Sequence, residues 1–235
     1  MRLQGLDIFR GVAIVLMVIF HFCFDLKHFG YADFDLKHDD FWRYFRYLIV
    51  SMFIFSAGIS TQLTHENGIN KKKLVKKVLI LSIASLGVSL GSYTQFPATW
   101  IYFGVLHFFL IVTVMSLPLL KSPKISLFLA ILIILGYNMS WINMHWLYNF
   151  LQKPFYLPIG YTQDLISIIP WFSAYLFGIV FAYYRIHNRL FQLRIFKTKH
   201  IVNNTLSFFG RHSFVIYLSH QIALFSLFYC MKIIL

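Results

Sequence analysis

The sequence predicts an all-helical bundle that crosses a membrane about seven times. Of its 235 residues, 59% are hydrophobic and only 12% are charged, and the mean hydropathy is +0.68. This composition is too apolar for an ordinary soluble domain. A helix needs about 20 apolar residues to cross the hydrocarbon, and lipid-exposed backbone must satisfy its own hydrogen bonds. Seven stretches qualify, although the shortness of the fifth leaves six as the alternative: 8–26, 45–64, 76–92, 101–119, 126–141, 166–184 and 213–234.

The basic residues favour seven spans and predict an orientation. They concentrate in the second, fourth and sixth loops, whereas the third loop has no charge and the first balances its basic residues with Asp. The positive-inside rule then predicts the N-terminus in the cytoplasm and the C-terminus outside. The basic loops include Lys71, Lys72, Lys73, Lys76, Lys77, Lys121, Lys124, Arg185, Arg189, Arg194, Lys197, Lys199 and Arg211.

We therefore expect a multi-pass protein of the cytoplasmic (inner) membrane that forms a single domain over residues 1–235. The net charge of +13 is explained by the loops, and no nucleic-acid-binding motif accompanies it, so nucleic acid is not an expected partner. Membrane lipid is an expected partner, and a homodimer is left open.

The first span carries four ionisable residues in an apolar stretch, "LDIFRGVAIVLMVIFHFCFDL" (6–26): Asp7, Arg10, His21 and Asp25. At 100° per residue, separations of eleven and eighteen positions place all four on one stripe of the helix. A charge at mid-bilayer costs about 2.5 to 3.5 kcal/mol, so the stripe is expected to face protein or a wet cavity. The alternative is that Asp7 and Arg10 are interfacial, that Asp7 caps the helix, and that Asp25 begins the loop.

His21 is the strongest candidate for chemistry within this stripe. Asp25 follows it by four residues, so its carboxylate lies within possible hydrogen-bonding reach of the imidazole. A His held by a carboxylate is suited to take a proton from a nucleophile or to carry an acyl group. The spacing permits this role without proving it.

Four segments give the chain a resemblance to a known family. They are "LDIFRG" followed by His21, "GVLHFF" (104–109), "IIPWFSAYLFGI" (168–179) and "GRHSFVIYLSHQ" (210–221). In this order they resemble the transmembrane acyltransferase superfamily, particularly bacterial relatives of heparan-alpha-glucosaminide N-acetyltransferase. The resemblance implies transfer of an acyl group, often acetyl from cytoplasmic acetyl-CoA, to a hydroxyl or amine of a sugar across the membrane.

The resemblance also suggests roles for individual residues. His21 would be the general base or transient acyl carrier, Asp25 would orient it, and Arg10 would stabilise negative charge on the donor. Lysosomal members of the family use a His in the loop after this helix and lack one at the position of His21, so His28 and His38 are rivals, with His38 the reserve candidate.

Further residues are assigned to the two substrates. For the donor we expect Arg10, Arg211, His212, Ser213, Tyr217 and His220, and for the acceptor Asp7, His107, Trp171 and Gln221. His107 and His21 are predicted at similar depths, where they would meet. For the polar face of the last helix, interhelical hydrogen bonding, worth about 0.6 kcal/mol per contact, is the competing explanation. For Trp171, a wall of the same cavity is the expected role, and an interfacial anchor is the commoner role of such a Trp.

Three other interpretations of the polar residues are a metal site, a transporter and a scaffold. A metal site is not expected, because no two His lie at the i, i+4 spacing of a helical zinc site and acidic residues are scarce away from the first loop. A small transporter or flippase would use the polar stripe as a substrate path, but no inverted repeat is evident. A non-catalytic membrane scaffold would use the same stripe to join helices.

Overall fold

A computed structural model describes residues 3–36, 38–160, 162–193, 196 and 200–234. Three basic residues of the topology argument, Arg194, Lys197 and Lys199, lie outside these residues. Within them the regular structure is helical and no strand is formed, apart from an isolated bridge between Phe103 and Leu165. The helices are α1 (Gln4–His28), α2 (Asp40–Thr64), α3 (Lys71–Gln95), α4 (Val105–Met115), α5 (Pro123–Asn138), α6 (His145–Gln152), α7 (Ile168–Tyr183), α8 (Ile186–Leu190), α9 (Ile201–Arg211) and α10 (Ser213–Ile234).

Each of the seven apolar stretches corresponds to a helix, which confirms the all-helical prediction. In the part of the chain that the structure describes, four helices, α1, α2, α3 and α10, are long and apolar enough to cross a membrane. The other three, α4, α5 and α7, are apolar but only 11, 16 and 16 residues long. The count of seven spans and the orientation of the termini therefore stay predictions.

Within the described residues, three short helices lie where the sequence predicted only loops. They are α6 in the fifth loop, and α8 and α9 in the sixth. Helix α9 begins at the cap residue His200, whose Nδ1 accepts a hydrogen bond from the amide of Val202 at 3.5 Å. The basic residues around α9 predict a loop, whereas the structure shows an amphipathic helix that packs on α1.

The chain forms two compact units. The first comprises Met1–Ser56 and His187–Leu235, and the second comprises Ala57–Ile186. In the first unit α1 packs against α9 and α10. Ile14, Met17 and Ile49 form its buried centre, with half-buried aromatic side chains around them. The prediction of one domain over the whole chain stays a prediction.

Two glycines bring the backbones of α1 and α9 into direct contact. A Cβ on Gly11 would lie 1.9 Å from the carbonyl oxygen of Leu206, and one on Gly210 would lie 1.7 Å from that of Asp7. No side chain fits in such a space, so glycine is required at both crossings. The contact also holds Arg211, the residue after Gly210, beside the N-terminal end of α1.

The second unit is built around α7, which packs against α5 and α4, while α3 packs against α4. Tyr175 of α7 is fully buried, and its hydroxyl lies 2.6 Å from the Thr61 hydroxyl. The Lys77 ammonium donates a hydrogen bond to the same Thr61 oxygen at 3.0 Å. These contacts connect the end of α2 to α3 and α7.

Candidate functional site

Two histidines from the first and last helices lie against each other. The ring centroids of His21 and His220 are 4.7 Å apart, and the ring planes are inclined at 64°. His220 Nδ1 lies 2.7 Å from the carbonyl oxygen of Tyr217. Because a carbonyl only accepts hydrogen bonds, Nδ1 must carry the proton, and in neutral His220 the lone pair is on Nε2. Nε2 is buried, and no described residue forms a hydrogen bond with it.

A carboxylate and an amide connect the same two helices next to this pair. Gln221 Nε2 donates a hydrogen bond of 2.9 Å to Asp25 Oδ1, and Asp25 is completely buried. The remaining oxygens, Asp25 Oδ2 and Gln221 Oε1, are buried without a hydrogen-bond partner among the described residues. With His220 Nε2, three buried acceptor atoms on α1 and α10 have no hydrogen-bond partner among the described residues.

The sequence suggested that Asp25 would hold His21, and the structure differs on this point. In the described part of the chain no hydrogen bond joins the two side chains, and Asp25 is bonded across to α10 instead. Its effect on His21 is indirect. Because Gln221 directly follows His220, the Asp25–Gln221 bond fixes the part of α10 that carries the second imidazole.

The other end of the polar stripe contains Asp7 and Arg10. Arg10 Nη1 lies 3.9 Å from Asp7 Oδ1, and Nη2 donates to the Ser56 carbonyl at 3.4 Å. The Asp7 side chain is 5% exposed and the Arg10 side chain 23%. Asp7 does not cap α1, because the cap position is Leu3 and no side chain bonds there. The pair faces neighbouring protein, as expected for a stripe that avoids lipid.

The predicted donor-binding residues lie around the α9–α10 junction. Arg211 is exposed, and its Nε donates to the Ser207 carbonyl at 3.3 Å. His212 is the cap residue at the end of α9, with its ring centroid 4.4 Å from that of Phe208. Ser213 begins α10, and Tyr217 packs against the buried centre of the first unit.

His107 occupies a different environment, in the second unit. Its Nδ1 accepts a hydrogen bond from the Gly104 amide at 3.3 Å, and its Nε2 lies 3.1 Å from Ser89 Oγ. Since Ser89 Oγ donates to the Ile101 carbonyl at 2.7 Å, His107 Nε2 must be the donor to Ser89. Both ring nitrogens are thus used in fixing the start of α4, where Asp164 Oδ2 also accepts from the Val105 amide at 3.1 Å.

The hydrogen bonds that fix the start of α4 therefore explain the "GVLH" segment structurally. Acceptor binding by His107 stays a prediction. Trp171 lies half-buried in the first turn of α7, also in the second unit. The expected approach of His107 to His21 likewise stays a prediction.

The loop histidines have ordinary surroundings. His38 is 84% exposed, and its Nδ1 lies 3.1 Å from Asp35 Oδ1. His28 ends α1, and its ring stacks on Phe24 with an inclination of 8°. Within the described ranges no group of three His, Cys, Asp or Glu side chains is placed to hold a metal ion.

His65, in the turn after α2, is a further buried histidine that the sequence did not single out. Its Nδ1 accepts a hydrogen bond from the Asn70 amide at 3.0 Å. Burial, together with the nearby ammonium groups of Lys77 and Lys73, lowers the pKa of His65 below its ordinary value of 6.5. His65 is therefore a neutral acceptor that stabilises the connection between α2 and α3.

The fold and the first unit define a class: a helical membrane protein whose first and last long helices share a buried polar site with two imidazoles. The family model described as "Heparan-alpha-glucosaminide N-acetyltransferase, catalytic" matches residues 2–222. The match covers most of the 235 residues, so the chain belongs to this family of membrane acetyltransferases, and the resemblance of the four segments is confirmed. No curated protein and no solved structure matches the chain.

Proposed function

We propose that this protein is an inner-membrane enzyme that transfers acetyl from cytoplasmic acetyl-CoA to a hydroxyl or amine of a sugar on the outer side. Membership of the acetyltransferase family supports the reaction class. The observation that carries the proposal is the His21–His220 pair, in which the Tyr217 carbonyl leaves the Nε2 lone pair of His220 available.

The reaction needs a base at the acceptor and an acid at the leaving sulfur. In direct transfer, His21 takes the proton of the acceptor hydroxyl or amine while that atom bonds to the acetyl carbonyl carbon. The carbon–sulfur bond then breaks, and the CoA thiolate takes up the proton. In the two-step alternative, a ring nitrogen of His21 bonds to the acetyl carbonyl carbon, the carbon–sulfur bond breaks, and the CoA thiolate leaves with the proton of the other ring nitrogen. His220 Nε2 then takes the proton of the acceptor, which bonds to the acetyl carbon while the bond to His21 breaks and His21 regains a proton.

The cationic residues suit the donor. Arg10 lies near the start of α1, and Arg211 follows Gly210, which contacts the Asp7 backbone. Guanidinium groups bind phosphate oxygens through paired N–H groups. His212, Ser213 and Tyr217 continue from Arg211 along the chain. Eleven residues of helix separate Arg10 from His21 by about 16 Å, so the phosphates and the acetyl group would occupy different depths of the membrane.

The acceptor requires groups that bind hydroxyl or amine protons. Gln221 Oε1 and Asp25 Oδ2 are two such acceptors beside the imidazoles. Asp7 lies next to Arg10, and in this proposal it orients the guanidinium instead of binding the sugar. Acceptor binding by His107 and Trp171, which belong to the second unit, stays a prediction. His38 is the reserve base, from the first loop.

The decisive experiment uses the purified full chain in detergent with acetyl-CoA and glucosamine. The wild type should release CoA and acetylate the sugar, and His21→Ala should reduce turnover by about 10² to 10⁴, the usual contribution of a positioned base. His38→Ala is the matched control and should retain activity. Full activity in His21→Ala with loss in His38→Ala would move the chemistry to the first loop.

The same preparation distinguishes the alternative functions. A transporter would move the sugar into liposomes without any acetyl donor, and a scaffold would bind no CoA in calorimetry. Either result, together with absence of turnover in the wild type, would overturn the proposed acetyl transfer.

A further inference from the structure

One face of α3 joins a row of lysines to a row of exposed apolar residues. The face lies on the open surface of the second unit. Six of its residues are Lys71, Lys72, Lys76, Leu79, Ile80 and Ile83. We call these residues the α3 face.

The α3 face is uncovered by protein. Leu79 is 57% exposed and Ile83 is 70% exposed. In the most apolar 18-residue stretch of α3, only 11% of the residues are buried, whereas 39% are buried in the corresponding stretch of α1. Helix α3 packs on α4 with its other side, where Leu81 and Ser85 are buried. The apolar half of the face is therefore suited to hydrocarbon.

Along one stripe of α3, the lysines come first and the apolar residues follow. Lys72, Lys76, Leu79 and Ile83 follow one another at i, i+4, i+7 and i+11, which places them on a single stripe. The apolar part from Lys76 to Ile83 extends for about 10 Å at 1.5 Å per residue. Lysine stems lie along apolar surface while the ammonium groups reach the polar boundary.

The five lysines at the start of α3 divide into two groups. Lys77 donates to Thr61, and Lys73 and Lys77 both lower the pKa of His65, so these two lie beside the turn after α2. By contrast, the side chains of Lys71, Lys72 and Lys76 take part in no ion pair or hydrogen bond among the described residues, and the first turn of α3 has no acidic residue. Three positive charges therefore lie together without compensation.

We propose that the α3 face binds an anionic phospholipid, with the phosphate at Lys72 and Lys76 and one acyl chain along Leu79 and Ile83. Charge complementarity selects the headgroup, since a basic residue near an anionic membrane surface contributes about 1 kcal/mol. The adjoining apolar stripe selects a lipid over a soluble phosphate. This function is separate from acetyl transfer, because the α3 face includes none of the residues assigned to that reaction.

The test uses the full chain in detergent with an equimolar mixture of phosphatidylglycerol and phosphatidylcholine, and the retained lipid is quantified after purification. The wild type should retain phosphatidylglycerol preferentially. The double variant Lys72→Gln/Lys76→Gln should reduce this preference by about thirtyfold, as two lost basic residues imply. Lys121→Gln/Lys124→Gln removes the same charge from exposed lysines elsewhere and should retain the preference.

Three results would overturn the proposal. They are equal retention of both lipids by the wild type, an unchanged preference in the Lys72/Lys76 variant, and an equal loss in the control variant. Glycerol 3-phosphate tests the acyl-chain contact. It should compete poorly with phosphatidylglycerol, and competition at equal concentration would show that a phosphate alone accounts for binding.

Discussion

Gln221 on α10 donates its side-chain amide to the buried carboxylate of Asp25 on α1, across 196 positions of sequence. The bond joins the first and last long helices next to the His21–His220 pair. It is therefore the contact on which the geometry of the proposed site depends most directly.

Removing the amide should destabilise the first unit. In Gln221→Leu the buried Asp25 carboxylate loses its hydrogen bond, which costs about 1 to 3 kcal/mol for an unsatisfied buried group. We expect a lower melting temperature in detergent together with reduced acetyl transfer. Ser226→Ala is the control on the same helix, because Ser226 is exposed and bonds only to the Ile222 carbonyl. An unaltered melting temperature in Gln221→Leu would contradict this account of Asp25.

The role proposed for His220 can be separated from its contribution to packing. The amide of His220→Asn can still donate to the Tyr217 carbonyl, but the variant has no basic nitrogen. If transfer occurs in two steps, turnover should fall by about 10² to 10⁴ while the melting temperature stays close to that of the wild type. Comparable activity in His220→Asn and the wild type would show that His220 only packs against His21.

The α1–α9 crossing should tolerate no side chain. In Gly210→Ala the new Cβ would lie 1.7 Å from the Asp7 carbonyl oxygen, so the backbones must separate. Overpacking of this kind costs about 1 to 3 kcal/mol, and thermal unfolding should show a clear decrease. The control is Gly91→Ala in α3, where no atom lies within 4 Å of the added Cβ. It should be neutral or stabilising, because alanine is the better helix former. Equal effects at the two positions would refute the close crossing.

His65 should make stability depend on pH. Because the pKa of His65 is lowered in the folded state, the unfolded chain binds more protons around and below pH 6.5, and stability should fall as the pH decreases through this range. Protonation of Nδ1 would also remove the acceptor for the Asn70 amide. The decrease in melting temperature between pH 8 and pH 5 should be smaller in His65→Gln. An identical decrease in both proteins would assign the pH dependence to other groups.

The sequence by itself determined the helical class and the location of the seven apolar helices. These properties are encoded locally, because any run of apolar residues in a membrane must satisfy its backbone within one helix. The stripe of α1 was also predictable, since the helical period alone fixes which residues share a face. The burial of Asp7 and Asp25 agrees with that prediction.

Only the tertiary structure decided which side chains meet. The four-residue spacing predicted a hydrogen bond between Asp25 and His21, but the Asp25 carboxylate bonds to Gln221 instead. The Gln221 amide comes from α10, and no local pattern around Asp25 reveals that this helix packs there. Helix α9 was not predicted for a related reason. Its packing against α1 depends on two glycines that allow the two backbones to come into contact. Contacts between distant segments depend on how the helices pack. The periodicity of a single sequence shows which residues share a face of one helix, but it does not show which residues of two helices lie opposite each other.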